Sequence, residues 1–443
     1  MTSAAPLLPQ RPSYSIDAVL DYDGHSVSVE ETITYPNVTG QQLTAFVLAA
    51  VPNLWLDCFI LGEVNVDGLP AREVALNGQR LEIYPQNTVV EGAIAVLGIS
   101  YRLELPFIPD IDPNVSRPRI FGYTKIQTNL TNWYPFVVPY RDGEWILHDP
   151  WYYGEHLVYE AADYSVDLRF TDPATAPVVA ASGAPAPASD STRYTLAAGR
   201  AFAISASREF QVSTEQVGDV AASSYTFPFF QGQGQAALRA STQALQLYAQ
   251  QFGPYPHKTL SIVMGDFNDG MEYSAFFFLP KDFYNLYNAT APHNYLISVA
   301  AHETAHQWWF EQVANDQALQ PWLDEALATY GERLFYETYL PGSLPSWWSY
   351  RVDFFRPQGF VDVPIYNFQG FRPYTDAVYF QGAHFLEDLR LRVGDETFFA
   401  VLQDYFLQYR GRIATAVDFF GLLRSHTTSD YSDLVRQYFQ NIY

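Results

Sequence analysis

The chain is poor in cysteine, in lysine and in long apolar runs. Its 443 residues include one cysteine, Cys58, so no intramolecular disulfide can form. That excludes a disulfide-stapled fold but not export, because larger domains do not need bridges. Lys and Arg total 25 against 48 Asp and Glu, and only Lys125, Lys258 and Lys281 are lysines. The formal net charge of −23 argues against nucleic-acid binding, which needs a basic stripe. An acidic surface keeps the chain soluble and favours cationic peptides. No apolar run reaches the roughly eighteen residues of a membrane span. The best candidate, Leu43 to Leu61, is broken by Pro52, Asn53 and Asp57 and reads as strands, so no transmembrane segment is expected. The N-terminus has neither a basic n-region nor an apolar h-region. Thr2 to Pro6 reads as a small-residue tether. An exported bacterial-type parent with its signal removed and a cytoplasmic protein both remain open.

What is present suffices for two or three packed cores: 48% of residues are hydrophobic and 16% aromatic. Residues 1–12 are Pro-rich without periodicity and read as a disordered tail. Residues 13–210 alternate with period two and read as an antiparallel β domain of sandwich or saddle type. Strands are expected over 15–21, 26–33, 43–49, 59–66, 73–76, 80–84 and 93–103. From 211 to 443 the pattern turns mostly helical. Helices are expected over 233–251, 295–313, 321–339, 376–393, 396–409, 416–424 and 432–443, and strands over 260–264 and 272–279. The fold class is α+β, with a β domain followed by a mostly helical half.

The stretch that carries chemistry is Ala301-His302-Glu303-Thr304-Ala305-His306. On a helix, residues four apart share a face, about 40° out of line. His302 and His306 can therefore aim two imidazoles at one zinc ion, with Glu303 beside them as general base. The competing reading is a core helix with two hydrogen-bonded histidines. Zinc needs a third protein ligand and leaves a fourth position for water or substrate. Eighteen residues after His306 comes Glu325, within Trp322-Leu323-Asp324-Glu325. A helical hairpin of that length returns Glu325 to the His pair. Otherwise Glu325 is a first-turn glutamate favoured by the helix dipole. One zinc per chain is expected; the other seven histidines form no second ligand spacing.

His-Glu-x-x-His, eighteen residues, then Glu in a Trp-Leu-Asp-Glu context resembles the zinc aminopeptidases of the aminopeptidase N and leukotriene hydrolase family. Asp269-Gly270-Met271-Glu272-Tyr273 resembles that family's Gly-x-Met-Glu-Asn motif, departing at Asp269 and Tyr273. Tyr379-Phe380-Gln381-Gly382-Ala383 resembles its Tyr-x-Lys-Gly-Ala segment, with Gln381 in place of Lys. The resemblance implies a thermolysin-like catalytic domain. It implies substrate binding by Gly270, Met271 and Glu272, with Glu272 taking the α-ammonium of peptides that have a free N-terminus. It implies Tyr379 as the oxyanion donor, with Tyr374 the competing choice. The family also brings a polar side chain from the β domain to the site, and Gln127 is the nearest candidate. The larger members continue into a helical C-terminal domain, so this short form is expected to have a more open cleft.

The reaction implied is hydrolysis of an N-terminal peptide bond by a metal-activated water, with Glu303 as base. Two other readings stay open. One is a thermolysin-like endopeptidase in which Glu272 is incidental. The other is a non-catalytic peptide-binding protein with a retained zinc, which would need the ligands but not Glu303.

Overall fold

The structure is a computed structural model that describes residues 11–109, 119–291 and 293–443. The tail expected over 1–12 lies outside the described residues up to residue 10. Its last two residues join the first sheet. Arg11 Nε donates to Asp163 Oδ1 at 2.9 Å, and Asp163 N–H donates to Pro12 O at 3.0 Å.

Alternation builds that sheet. In Ser13–Asp21 the side chains of Tyr14, Ile16, Ala18 and Leu20 are buried and their neighbours face outward. Ser26–Pro36 and Ile94–Glu104 repeat the pattern. Eight strands join in the order Ala184–Pro187, Thr192–Gly199, Ala162–Phe170, Ser13–Asp21, Ser26–Pro36, Ile94–Glu104, Phe59–Val66, Leu69–Pro70. The sheet is mixed, not antiparallel as the sequence suggested: Ser13–Asp21 runs parallel to Ala162–Phe170. Alternation fixes which face a side chain takes but carries no strand direction. Two four-stranded sheets, one containing Phe46–Ala49 and Arg80–Tyr84, the other Thr128–Leu130 and Ile204–Ser207, and the two-stranded pair Tyr140–Arg141 and Glu144–Trp145 complete this half. Ile33, Phe46, Leu97 and Trp133 are fully buried in the core.

The second half begins with a five-stranded sheet in the order Gln211–Val217, Val220–Thr226, Thr259–Met264, Phe276–Leu279, Met271–Tyr273. We place the domain boundary between Ser207 and Gln211, where the chain leaves one set of sheets for this one. The strand expected over 272–279 is a hairpin instead. Met271–Tyr273 turns at Ser274 and Ala275 onto Phe276–Leu279, with Glu272 opposite Phe277. Ala275, the second central residue of the turn, takes φ 54°, the position where a type II turn has positive φ. The strand bearing Glu272 thereby becomes the sheet edge.

The helices Gln231–Gln251 and Tyr295–Ala305 pack on this sheet, Trp322–Tyr339 packs on Tyr295–Ala305, and Gly382–Val393 packs on Trp322–Tyr339. Asn294 caps the second by accepting from Leu296 N–H at 3.2 Å. That helix, expected to reach Val313, stops at Ala305. The chain reverses through Phe310 at φ 123°, and Val313 N–H returns to Trp308 O at 2.9 Å. Trp308, Trp309 and Phe310 are all buried in the reversal, so an apolar run could not announce it. The last helix ends at Tyr438 rather than Tyr443, because Phe439 and Tyr443 fold back onto Phe420. The helix expected from Asp376 opens with a wide π-helical turn, Asp376–Gln381.

One buried side chain ties the halves together. Arg200 follows the strand Thr192–Gly199 and is 1% exposed. Its guanidinium donates to Glu311 O at 3.0 Å, Gln312 O at 3.2 Å and Arg412 O at 2.9 Å across the boundary. It also donates to Tyr159 O at 3.2 Å in its own half. Arg200→Met keeps the apolar stem and takes a donor from each of those carbonyls, of which Gln312 O keeps Gly411 N–H at 2.7 Å; a buried carbonyl left without a donor costs about 1–3 kcal/mol. The expected loss is about 3–5 kcal/mol, read as a lower urea midpoint. A loss below about 1 kcal/mol would mean that other contacts hold the halves together.

Candidate active site

His302 lies in the last turn of the helix Tyr295–Ala305 and His306 caps its end. Glu325 lies in the first turn of Trp322–Tyr339. The two helices bring three donor atoms together. His302 Nε2 is 3.1 Å from His306 Nε2 and 3.1 Å from Glu325 Oε2, and His306 Nε2 is 3.4 Å from Glu325 Oε2. A tetrahedral zinc with bonds near 2.0–2.1 Å holds neighbouring ligand atoms about 3.3 Å apart, which this triangle matches.

The protons agree with that fit. His306 Nδ1 is 3.0 Å from Trp309 O, a carbonyl that can only accept. His302 Nδ1 is 3.0 Å from Glu332 Oε1, within a carboxylate that also takes Arg351. With both Nδ1 atoms donating, both Nε2 atoms present lone pairs to each other and to Glu325. Three lone pairs in contact, all buried, call for a cation between them. A second group within 4.8 Å, Glu272, Glu303 and His306, shares His306 with the first, so the two form one centre.

These groups line a cavity of about 470 Å³. Glu303 faces it, 5% exposed, and its Oε2 has no hydrogen-bond partner among the described residues. Burial pushes the Glu303 carboxyl up to about 8, with Glu272 and Glu325 adding and the two imidazoles opposing. Gly270 lies against this carboxylate: a Cβ there would sit 2.8 Å from Glu303 Oε1. Met271 lines an adjoining cavity of about 310 Å³, and Glu272 borders both. Gln317 Nε2 bridges Glu272 Oε1 at 3.1 Å and Asp324 Oδ2 at 2.9 Å.

Tyr379 lines the main cavity with its ring parallel to His302, 5.8 Å between centroids at 3°. Burial first, then Glu325, holds its hydroxyl well above the usual tyrosine range. Tyr374 packs edge-on behind it, 0% exposed and away from the cavity lining. The glycine of the Tyr-x-x-Gly-Ala segment has a packing reason. A Cβ on Gly382 would meet Ala326 Cβ at 2.4 Å, so the backbones bearing Tyr379 and Glu325 approach closely only with glycine there.

Gln127 does not reach the site. It is buried at the domain boundary, donating to Ser205 Oγ at 3.0 Å and Met264 O at 3.1 Å and accepting Asp266 N–H. The β domain contributes Gly154 and Glu155 to the cavity instead. They directly follow the aromatic run Trp151, Tyr152, Tyr153, where the sequence carries no distinguishing spacing. Gln307 was also missed. It donates to Tyr273 O at 3.0 Å and accepts Ala275 N–H at 2.9 Å, clasping the Glu272 hairpin to the end of the histidine helix. A glutamine in an apolar run was the available signal. Glu332 and Arg351 went unnoticed for the same reason, since neither belongs to a motif.

Known proteins resemble this chain in sequence and in fold. Residues 236–438 match the peptidase family M1 domain. Among curated proteins, aminopeptidase M1-D of Oryza sativa subsp. japonica is 27% identical over 207 residues, 43% of this chain and 24% of that protein. Aminopeptidase N of Streptomyces lividans is 26% identical over 217 residues, 44% of this chain and 24% of that one. The chain thus spans about a quarter of the length of these curated relatives. Among solved structures, an M1 zinc metallopeptidase from Deinococcus radiodurans superposes with TM-score 0.70 at 18% identity, covering 99% of this chain and 96% of its own. A mutant M1 zinc metallopeptidase from the same organism, bound to a Tyr-Ser-Ala substrate, superposes with TM-score 0.68 at 17% identity, covering 98% and 96%. At these identities the likeness to the solved structures is one of fold. Residues 236–438 form a domain of peptidase family M1, in a chain with the two-domain fold of M1 zinc metallopeptidases.

Proposed function

We propose that the protein is a zinc-dependent aminopeptidase that removes the N-terminal residue from peptides. The observation that carries this reading is the meeting of three lone-pair donors, the unpartnered Glu303 oxygen and the Glu272 carboxylate around one cavity. His302, His306 and Glu325 hold the metal. When bound, zinc supplies Lewis acidity and lowers the pKa of a water to about 7. Glu303 takes the proton from the attacking water and later delivers it to the leaving amine. Tyr379, kept protonated by burial, donates to the oxyanion as charge develops there, a contribution of about 3–4 kcal/mol.

Glu272 pairs with the α-ammonium of the substrate, and Gln317 fixes its orientation. The edge strand Met271–Tyr273 accepts an extended peptide by main-chain hydrogen bonds. The first side chain then leaves beside Glu272 into the adjoining cavity, lined by Phe121, Trp151, Tyr159, Met271 and Phe310. That lining favours large apolar or aromatic first residues. The Tyr-Ser-Ala peptide bound by the structurally similar Deinococcus radiodurans enzyme has such a residue first.

His302→Ala is expected to lose nearly all zinc by metal analysis; undiminished stoichiometric zinc would sink the ligand set. Glu303→Gln keeps the zinc while kcat collapses, because an amide cannot take the proton. Tyr379→Phe lowers kcat by roughly a hundredfold or more with little change in KM, and Tyr374→Phe stays near wild type. The reverse pattern would move the donor to Tyr374.

Gly270→Ala pushes a methyl into the Glu303 carboxylate. A fall in kcat of at least roughly tenfold is expected, with zinc content and Tm near wild type. An unchanged kcat would show that Glu303 has room to move.

Glu272 is tested on a matched pair, leucyl and acetyl-leucyl fluorogenic amides. An acetylated terminus leaves Glu272 buried without its counter-ion, a mismatch of about 2–5 kcal/mol. Wild type should cut the free-amino member far faster, and Glu272→Ala should close much of the gap in kcat/KM. Equal cleavage of both by wild type would promote the endopeptidase reading.

A further inference from the structure

We propose that Glu332 is a positioning residue for the metal centre, clamped from behind by Arg351 and Trp347 so that it fixes the orientation and tautomer of His302. The inference rests on His302 being a metal ligand. Glu332 follows Glu325 by seven residues on the helix Trp322–Tyr339, so both lie on one face two turns apart. One helix thereby supplies a carboxylate in front of the metal position and a second behind one of the histidines.

Every acceptor of Glu332 is engaged. Oε1 takes His302 Nδ1–H at 3.0 Å and Arg351 Nη2–H at 2.7 Å. Oε2 takes Arg351 Nε–H at 3.0 Å and Trp347 Nε1–H at 3.0 Å. The Glu332 side chain is 0% exposed. The two-pronged guanidinium grip holds the carboxylate plane, so the Oε1 lone pair toward His302 cannot swing away. The guanidinium also balances the buried charge. His306 has no such arrangement, since its Nδ1 donates to the neutral Trp309 carbonyl. The two histidines are therefore unequal ligands, one backed by an anion and one by a peptide dipole.

The clamp also reaches the oxyanion side. Arg351 belongs to the π-helical turn Trp348–Val352, and its guanidinium lies 5.3 Å from the ring centre of Phe380, the residue after Tyr379. Tyr379 and Phe380 lie in the second π-helical turn, Asp376–Gln381. Wide turns of this kind recur at functional sites. Here Arg351, from one such turn, spans the Glu332 carboxylate and the Phe380 ring of the other.

The test measures zinc affinity by chelator competition and the visible spectrum of the cobalt-substituted protein. Wild type, Glu332→Gln, Arg351→Met, the double variant and His302→Ala are compared. Glu332→Gln keeps the volume but loses the charge, and the zinc Kd is expected to rise about 10–100-fold with a shifted cobalt band. Arg351→Met frees the carboxylate and should raise Kd several-fold. Glu332→Gln with Arg351→Met removes the orphaned guanidinium, so the metal-free Tm should recover toward wild type while the weakened Kd persists. A Kd within about twofold of wild type and an unshifted cobalt band in both Glu332→Gln backgrounds, with His302→Ala devoid of zinc, would overturn the clamp and leave the zinc site standing. Stoichiometric zinc in His302→Ala would instead overturn the ligand assignment beneath it.

Discussion

The structure turns on the cost of burying a cluster of carboxyl groups. Glu272, Glu303, Asp324, Glu325 and Glu332 are each no more than 5% exposed, and they crowd around two imidazoles that present lone pairs to one of them. Burial lifts the Glu303 and Asp324 carboxyls to about 8. Arg351 answers Glu332 alone, holding it near 2 against burial. A divalent cation at the centre of the His302, His306 and Glu325 triangle relieves both the charge and the lone-pair repulsion. Removing buried charges from water costs several kcal/mol each unless they are paired, so the surrounding fold and its metal are energetically one unit.

That demand explains the local architecture. Two helices must approach until side chains on each are in ligand contact, and small residues at their crossings allow it. Gly382 against Ala326 does the same for the segment bearing Tyr379. The histidine helix stops at Ala305, and the residues after it work as fasteners. Gln307 clasps the hairpin that carries Glu272. Glu311 accepts from Ser274 at the same hairpin and bonds His257 at 2.7 Å. Arg200 then pins the β domain onto the Glu311 and Gln312 carbonyls. From the metal position outward, each polar group is held by the next, and the chain of contacts ends at the domain boundary. The β domain is thus part of the site's wall, through Gly154 and Glu155.

Much of this was legible beforehand. Period-two alternation gave most strands of the first half, and the ends of Gln231–Gln251 and Trp322–Tyr339 fell within about two residues of expectation. The structure brings His302, Glu303, His306, Glu325, Glu272 and Tyr379 to one cavity, as their motifs suggested. Errors arose where burial is uniform. Trp308 to Val313 is buried whether it continues a helix or doubles back, so hydrophobicity held no signal for the stop. The Glu272 hairpin is as buried as one long strand would be. Gln127 was a candidate only because the family resemblance implied a polar side chain from this region, whereas the fold gives it to the strand end at Met264 and Asp266.

The sequence by itself determined what depends on local spacing. Two histidines four apart share a helix face, and alternating strands have one buried side. Those relations follow from helix and strand periods, which every window of the chain carries. Only the tertiary structure decided what depends on groups far apart in the chain. Glu332 behind His302, Arg351 behind Glu332, Gln307 on the hairpin, Gly154 and Glu155 in the wall and Arg200 across the boundary are all such pairings. No period relates these partners. They meet because a buried polar group must find a partner, and which one it finds is set by how the helices and sheets pack.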